Sequence, residues 1–378
     1  MRRPLRITIL GLSITSSWGN GHATTYRSLI RGLINRGHSV RFLERNVAWY
    51  AKHRDQLGSS CGQIQLYGNL DELFLQHRES VRRSDLTIVG SYVPDGVEVG
   101  AWACETCRGI TAFYDIDTPV TLGKLADGDH EYISPELVRR FDCYLSFTGG
   151  AVPRLIEQEF GSPLARPLYC SVDAKSYRPE AIRRRYELGY LGTYSDDRQP
   201  PLEQLMLEAA RAWPDGRFVV AGPQYPSGVA WPDNVRRIEH LPPAEHRRFY
   251  NSQRVTMNVT RAEMVRSGYA PSVRLFEAAA CGTPIISDWW EGLDTFFQPE
   301  REILVTRSAE DTLRFLRELG TDRLAEIGAA ARRRVLAEHT GDRRAEQLET
   351  IIHEAAAAKR SNGRARHPIR TATKRQRV

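Results

Sequence analysis

Residues 6–43 constrain the fold more than any other stretch of the chain. Arg6–Gly11 reads RITILG, an apolar strand, and a polar loop with glycines follows from Leu12 to Gly21. His22–Asn35 then places Tyr26, Leu29, Ile30, Leu33 and Ile34 on one face at helical spacing. Gly37-His38 ends that helix, and Val40–Leu43 is a second strand. Strand, loop, helix, strand in this order needs a crossover connection, and so a parallel sheet. Further short strands are expected at Leu86–Val89, Ile110–Tyr114 and Cys143–Phe147. The pattern restarts at Tyr186–Leu191, with a helix at Leu202–Trp213 and strands at Arg217–Ala221, Val235–Ile238 and Val255–Val259. A chain of 378 residues exceeds what one core usually supports. The expectation is therefore α/β: two doubly wound, Rossmann-like parallel-sheet domains, 1–172 and 173–340. A closing helix is expected over 341–358. Residues 359–378 are too poor in apolar side chains to pack and are expected to be a disordered basic tail.

Charge supports that division. The net charge is +7, yet eight Lys or Arg and no acid lie beyond Ala358, so the body is near neutral. A DNA-binding face needs its own clustered charge, and the body offers none. The tail alone predicts weak, salt-sensitive contact with nucleic acid or an anionic surface. MRRPLRITILGL begins like a secretory leader, but its apolar run is short, interrupted and without a cleavage site, which leaves it as the first strand. Six scattered cysteines read as reduced thiols of a cytoplasmic protein. Cys104 and Cys107 form a single CxxC with no second pair, so no metal site is expected.

The segment Tyr269–Asp288, YAPSVRLFEAAACGTPIISD, carries the strongest chemical signal. Pro271-Ser272 starts a helix over Val273–Ala280, Cys281-Gly282 stops it, and Ile285-Ile286 begins a strand. A helix N-terminus binds anions through its free N–H groups and its dipole. Arg274 adds charge there, and Glu277 one turn on can accept hydrogen bonds from a diol. Phosphate at the cap and ribose at the carboxylate describe a nucleotide.

With Gly19-Asn-Gly21-His22, Arg36-Gly-His-Ser-Val40, Tyr114-Asp-Ile-Asp-Thr-Pro119, Pro167–Asp173, Gly192-Thr-Tyr194 and Asp288–Leu293, this segment resembles the GT-B-fold glycosyltransferases, specifically the CgeB-like (spore maturation protein) group. The resemblance spans about residues 5–340. It implies two domains facing across a cleft, the second holding a nucleotide sugar and the first a hydroxyl-bearing acceptor. It implies that Ser272, Val273 and Arg274 meet the diphosphate and Glu277 the ribose. Gly192 and Thr193 would bring backbone close to the donor, and Arg198 and Arg261 would offset charge on the leaving diphosphate without a metal. The nucleotide sugar is a substrate, so no cofactor is implied. Retaining enzymes of this fold carry two glutamates eight residues apart, and Tyr269 stands eight residues before Glu277. The reaction's stereochemistry is therefore not carried over.

The opposing wall offers His22, beside Gly21 at a loop-to-helix junction where inverting relatives place a base, with packing or capping as its plainer role. Asp115 and Asp117, two apart on an extended strand, would share a face and serve as base or acceptor ligands; the plainer role is a structural turn. Trp289 and Trp290 are candidates to stack on sugar or base, with domain packing equally open. Glu44 ends the second strand where a dinucleotide-binding acid would stand, but no GxGxxG precedes it, and a salt bridge to a local arginine is expected instead. Alternative functions are a nucleotide-sugar epimerase or NAD-dependent enzyme on a similar scaffold, or a non-catalytic GT-B protein recruited through its basic tail.

Overall fold

A computed structural model describes residues 3–17, 21–55 and 61–365; Gly19, Asn20 and residues 366–378 of the expected tail lie outside the described residues. Thirteen strands form two sheets: β1 (Arg6–Gly11), β2 (Ser39–Arg45), β3 (Gln63–Tyr67), β4 (Leu86–Gly90), β5 (Ile110–Asp115), β6 (Cys143–Ser146) and β7 (Ala165–Pro167) in the first, β8 (Tyr186–Leu191), β9 (Phe218–Ala221), β10 (Val235–Ile238), β11 (Gln253–Asn258), β12 (Ile285–Ser287) and β13 (Leu304–Val305) in the second. Their orders are 3-2-1-4-5-6-7 and 10-9-8-11-12-13. Every pairing is parallel. The two doubly wound domains expected from the sequence are present. Central strands such as β4, buried along their whole length, read as continuous apolar runs because helices cover both faces.

Strand order reverses between β1 and β4 in one sheet and between β8 and β11 in the other. Loops leaving such a pair diverge to opposite faces of the sheet and open a crevice at the strand ends.

The chain closes on its first domain. The last helix, Gly341–Ala365, runs back across His22–Asn35 and buries Ala345, Leu348, Ile351, Ile352 and Ala355 in the core of the first sheet. It also runs beyond the expected end at Ala358. Its Lys359 binds the Gly109 carbonyl and Asp142, each at 2.8 Å, so residues 359–365 are helix and not disordered tail. A Cβ on Gly32 would stand 2.2 Å from the Gly341 carbonyl oxygen, and one on Gly341 would stand 2.1 Å from the Ser28 carbonyl oxygen. The backbones thus cross in contact. Farther along, Arg36 grips Glu349 with two hydrogen bonds (2.6 and 3.0 Å), and His38 Nε2 meets the same carboxylate at 2.9 Å. His38 Nδ1 accepts from the Leu5 amide, which leaves Nε2 as the proton-bearing nitrogen.

His339, just before the last helix, stacks on Phe276 of the second domain with ring centres 4.4 Å apart. Its Nδ1 accepts from Arg344, and burial, reinforced by the Arg344 charge, pushes its pKa down to about 3.

Two measurements check this joint. Gly32→Ala sets backbone against backbone and should lower the melting temperature by several degrees, an overpacking cost of about 1–3 kcal/mol. His339 titrates near 6.5 when unfolded and far lower when folded, so the unfolded chain binds that proton first. Stability to denaturant should fall as pH drops from 6.5 towards 3, and His339→Gln should flatten that dependence.

Candidate functional site

Both crevices open into one cavity of about 700 Å³ between the domains. The first domain lines it through loops that leave β1, β4, β5 and β6, which bring Gly21 and His22, Tyr92, Asp117 and Phe147. The second lines it through loops that leave β8, β9, β10 and β11 and through the start of the helix Val273–Ala280.

That helix begins as expected. Ser272 caps it, its hydroxyl accepting from the Arg274 amide at 3.4 Å. Leu275, Phe276, Ala278, Ala279 and Ala280 are buried, which fixes the helix against the sheet and leaves its N-terminus at the cleft. The Arg274 guanidinium is spread over neutral oxygens: the Leu191 carbonyl at 3.0 Å, the Ser272 hydroxyl at 3.0 Å and the Val259 carbonyl at 3.3 Å. Arg198 likewise donates to the Ser195 hydroxyl at 2.8 Å and the Thr193 carbonyl at 2.7 Å. Among the described residues neither guanidinium has a carboxylate within ion-pair distance. Burial, and then the charge of Arg274, lowers the Arg198 pKa. Two neighbouring cations without a counter-ion, beside a helix N-terminus, make an anion site.

Gly192 allows this arrangement. A Cβ there would lie 2.6 Å from Arg274 Nη1 and 2.4 Å from the hydroxyl of Tyr190, whose ring is fully buried in the core of the second domain. Glu277 is buried one turn in, accepting from the Tyr250 hydroxyl at 3.1 Å, with His246 Nδ1 at 3.9 Å. It still reaches the cavity wall.

Arg261 is the cation that spans the cleft. It reaches Asp117 of the first domain at 3.4 Å, Asp197 at 3.9 Å and Glu263 at 3.8 Å. Asp117 also accepts from Tyr92 at 3.3 Å, and its Oδ1 is buried with no partner. Burial raises the Asp117 pKa against the pull of Arg261. His22 lies edge-on to Tyr92, ring centres 5.5 Å apart, and its Nδ1 is buried and unpartnered. Burial pushes its pKa down to about 4, so the imidazole is neutral near pH 7.

The cavity thus gathers Gly21, His22, Asp117, Gly192, Thr193, Arg198, Arg261, Ser272, Val273, Arg274 and Glu277. Three expected residues are not in it. Asp115 is the last residue of β5 and fully buried, accepting from Thr121 at 2.7 Å and Tyr144 at 2.5 Å; burial lifts its pKa to about 6. It does not share a strand face with Asp117, which lies past the strand end at the N-cap position of the helix Thr118–Ala126, with no capping bond from its side chain. Trp290 is core, 5.7 Å from Phe296, and Trp289 is 43% exposed and away from the cavity lining. Glu44 makes no arginine pair among the described residues: its carboxylate accepts from the Ile14 amide (2.7 Å), the Thr15 amide (2.9 Å) and the Thr15 hydroxyl (2.5 Å), fixing the start of the β1 loop. Tyr269 is not among the residues that line the cavity. Its ring is held between Gly150 of the first domain and Gly292 of the second, where a Cβ on either would stand 2.4 Å from it. Tyr92, His240 and His246 also line the cavity and were not expected there; Tyr92 and His240 stand two residues past strand ends, whereas His246 lies within the helix Pro243–Asn251, where no local signal marks it.

Comparison with known structures decides the architecture. Sucrose-phosphate synthase from Thermosynechococcus elongatus superposes with a TM-score of 0.66 at 16% identity, over 94% of this chain and 100% of that one. HepE from Anabaena, solved with UDP and glucose, gives 0.68 at 12% identity, over 93% and 100%. The fold is GT-B. An alpha-glucosyltransferase solved with UDP-glucose and DNA containing an abasic site shares the GT-B frame at a TM-score of 0.69 and 13% identity, over 93% and 100%. Residues 198–350 match the family model described as glycosyl transferase-like, a stretch that starts at Arg198 and holds the anion site. A search of curated protein sequences gives no match.

Gly192→Ala should displace Arg274 and, by crowding the buried Tyr190 ring, lower the melting temperature by a few degrees. Pyrophosphate binding should weaken by about tenfold or more, the loss of one charge-assisted hydrogen bond. Isothermal titration with pyrophosphate checks it.

Proposed function

We propose that this protein is a glycosyltransferase that moves a sugar from a nucleoside-diphosphate sugar to a hydroxyl-bearing acceptor. The observation that carries this is the pair Arg198 and Arg274, without counter-ion among the described residues, at the N-terminus of Val273–Ala280 and one turn from the Glu277 carboxylate. Diphosphate at the guanidiniums and ribose at Glu277 match their chemistry and spacing. The GT-B fold, the family model over 198–350 and the uridine nucleotides bound by HepE and the alpha-glucosyltransferase support the same class of donor.

In this mechanism the bond from the anomeric carbon to the diphosphate breaks while the acceptor oxygen bonds to that carbon. Charge grows on the leaving diphosphate, where Arg198, Arg274 and the helix N-terminus are already in place, so little reorganisation is needed. Side-chain cations supply this stabilisation without a resident metal. The acceptor proton passes to the first-domain wall, where neutral His22 and Asp117 are the groups able to take it. Assignment to the CgeB-like group rests on the sequence segments alone. Six unpaired cysteines support a cytoplasmic setting.

UDP or GDP at about a hundred times its Kd should raise the melting temperature by several degrees, equivalent to ~2.7 kcal/mol. Glu277→Gln should weaken that binding about ten- to a hundredfold, as expected for losing a charged hydrogen-bond acceptor. Failure of UDP, GDP and dTDP alike to shift the unmutated protein would remove the donor assignment.

A further inference from the structure

The two walls of the cavity differ in charge. Arg198, Arg261 and Arg274 all stand on the second-domain side. Among the described residues the first-domain side contributes no Lys or Arg. What that wall does present is apolar or neutral: Leu12, Ile116 and Phe147, the phenols of Tyr50 and Tyr92, and uncharged His22. Asp117 is its one carboxylate among the described lining residues.

Nor is a cation to spare from the other side. Arg198 and Arg274 belong to the diphosphate in the reading above. Arg261 already faces Asp117, Asp197 and Glu263. A phosphate or carboxylate on the acceptor would therefore approach Asp117 with only Arg261, already shared among three carboxylates, to offset it. Hydrogen-bonding sense agrees. Asp117 Oδ1 is buried without a partner and, as a carboxylate oxygen, can only accept. His22 Nδ1 is also unpartnered. An anionic oxygen has no proton to offer, whereas a hydroxyl does. Exposed CH faces of a sugar ring suit the apolar and aromatic members of the wall.

We propose that the acceptor is an uncharged polyhydroxy compound, such as a free sugar or glycoside, which donates a hydroxyl hydrogen bond to Asp117. Acceptors that place a phosphate or carboxylate on this wall are rejected. The inference rests on the glycosyltransferase reading and names its acceptor class. The transfer balances with donor and acceptor alone: the anomeric carbon exchanges a diphosphate oxygen for the acceptor oxygen, and the hydroxyl proton stays on the enzyme until release.

The test uses the full chain. Sugar release from UDP-, GDP- and dTDP-sugars without acceptor first identifies the donor. Acceptor pairs that differ only in charge are then compared, glucose with glucose 6-phosphate and glucose with glucuronate, by product formed and by slowing of donor hydrolysis. The neutral member should win by at least about tenfold in kcat/KM, the scale of an uncompensated like charge several ångströms away. Asp117→Asn should lower transfer to the neutral member and narrow its lead over the charged one. Equal or better use of the charged member overturns the inference, as does a screen in which no neutral member is glycosylated or slows hydrolysis. If no nucleotide sugar is hydrolysed and no nucleotide shifts the melting temperature, the glycosyltransferase reading itself fails and takes the acceptor class with it.

Discussion

The crossing of Gly32 and Gly341 is the constraint on which the cleft depends. Two doubly wound domains joined by one linker have many relative orientations open to them. Here the chain passes from the second domain straight onto the first helix of the first, with backbone on backbone and no room for a side chain between. Arg36, His38 and Glu349 pin the same helix pair farther along. Because that first helix starts at His22, the contact that closes the chain also sets where His22 faces the donor wall. His339 links the two, stacked on Phe276 of the helix whose N-terminus faces the cavity.

Electrostatics then divides the cavity. The second domain concentrates guanidinium charge where strand β8 and strand β11 part, and the first domain keeps its polar atoms neutral or acidic. A site with this asymmetry sorts ligands by sign before shape is considered, favouring an anionic group on the second-domain wall alone. Arg261 stands on the boundary, paired with Asp117 across the cleft, so charge on either side is felt through it.

Much of this was legible in the sequence because short apolar runs alternate with amphipathic helices. Tyr186–Leu191, Val235–Ile238, His22–Asn35 and Val273–Ala280 fall where periodicity and caps place them. Two of the edge strands were missed: β3, five residues long, and β13, two residues long, both short for a pattern to stand out. The end of the last helix was hidden because its apolar residues stop before its hydrogen bonds do. At the site, residues tied to a local motif were found, such as Arg274 and Glu277. Asp115 misled because spacing along a strand does not reveal where the strand stops. Two residues farther on, the chain has left the sheet, and only Asp117 sees the cleft. Trp290 misled because an aromatic after a strand can turn inward as readily as outward. Tyr92 was missed because nothing in its neighbours shows that β4 ends beside the reversal of strand order.

Tyr269 sits with a positive φ of 47° and its ring between Gly150 and Gly292, while its carbonyl accepts from Gly149 and its amide donates to Glu291. Three positions far apart in sequence thus act as one unit. Both glycines also have positive φ, 57° at Gly150 and 88° at Gly292, so a side chain at either is strained even where residue 269 is smaller. Backbone conformation as well as side-chain space therefore holds glycine at both positions of this joint between the domains.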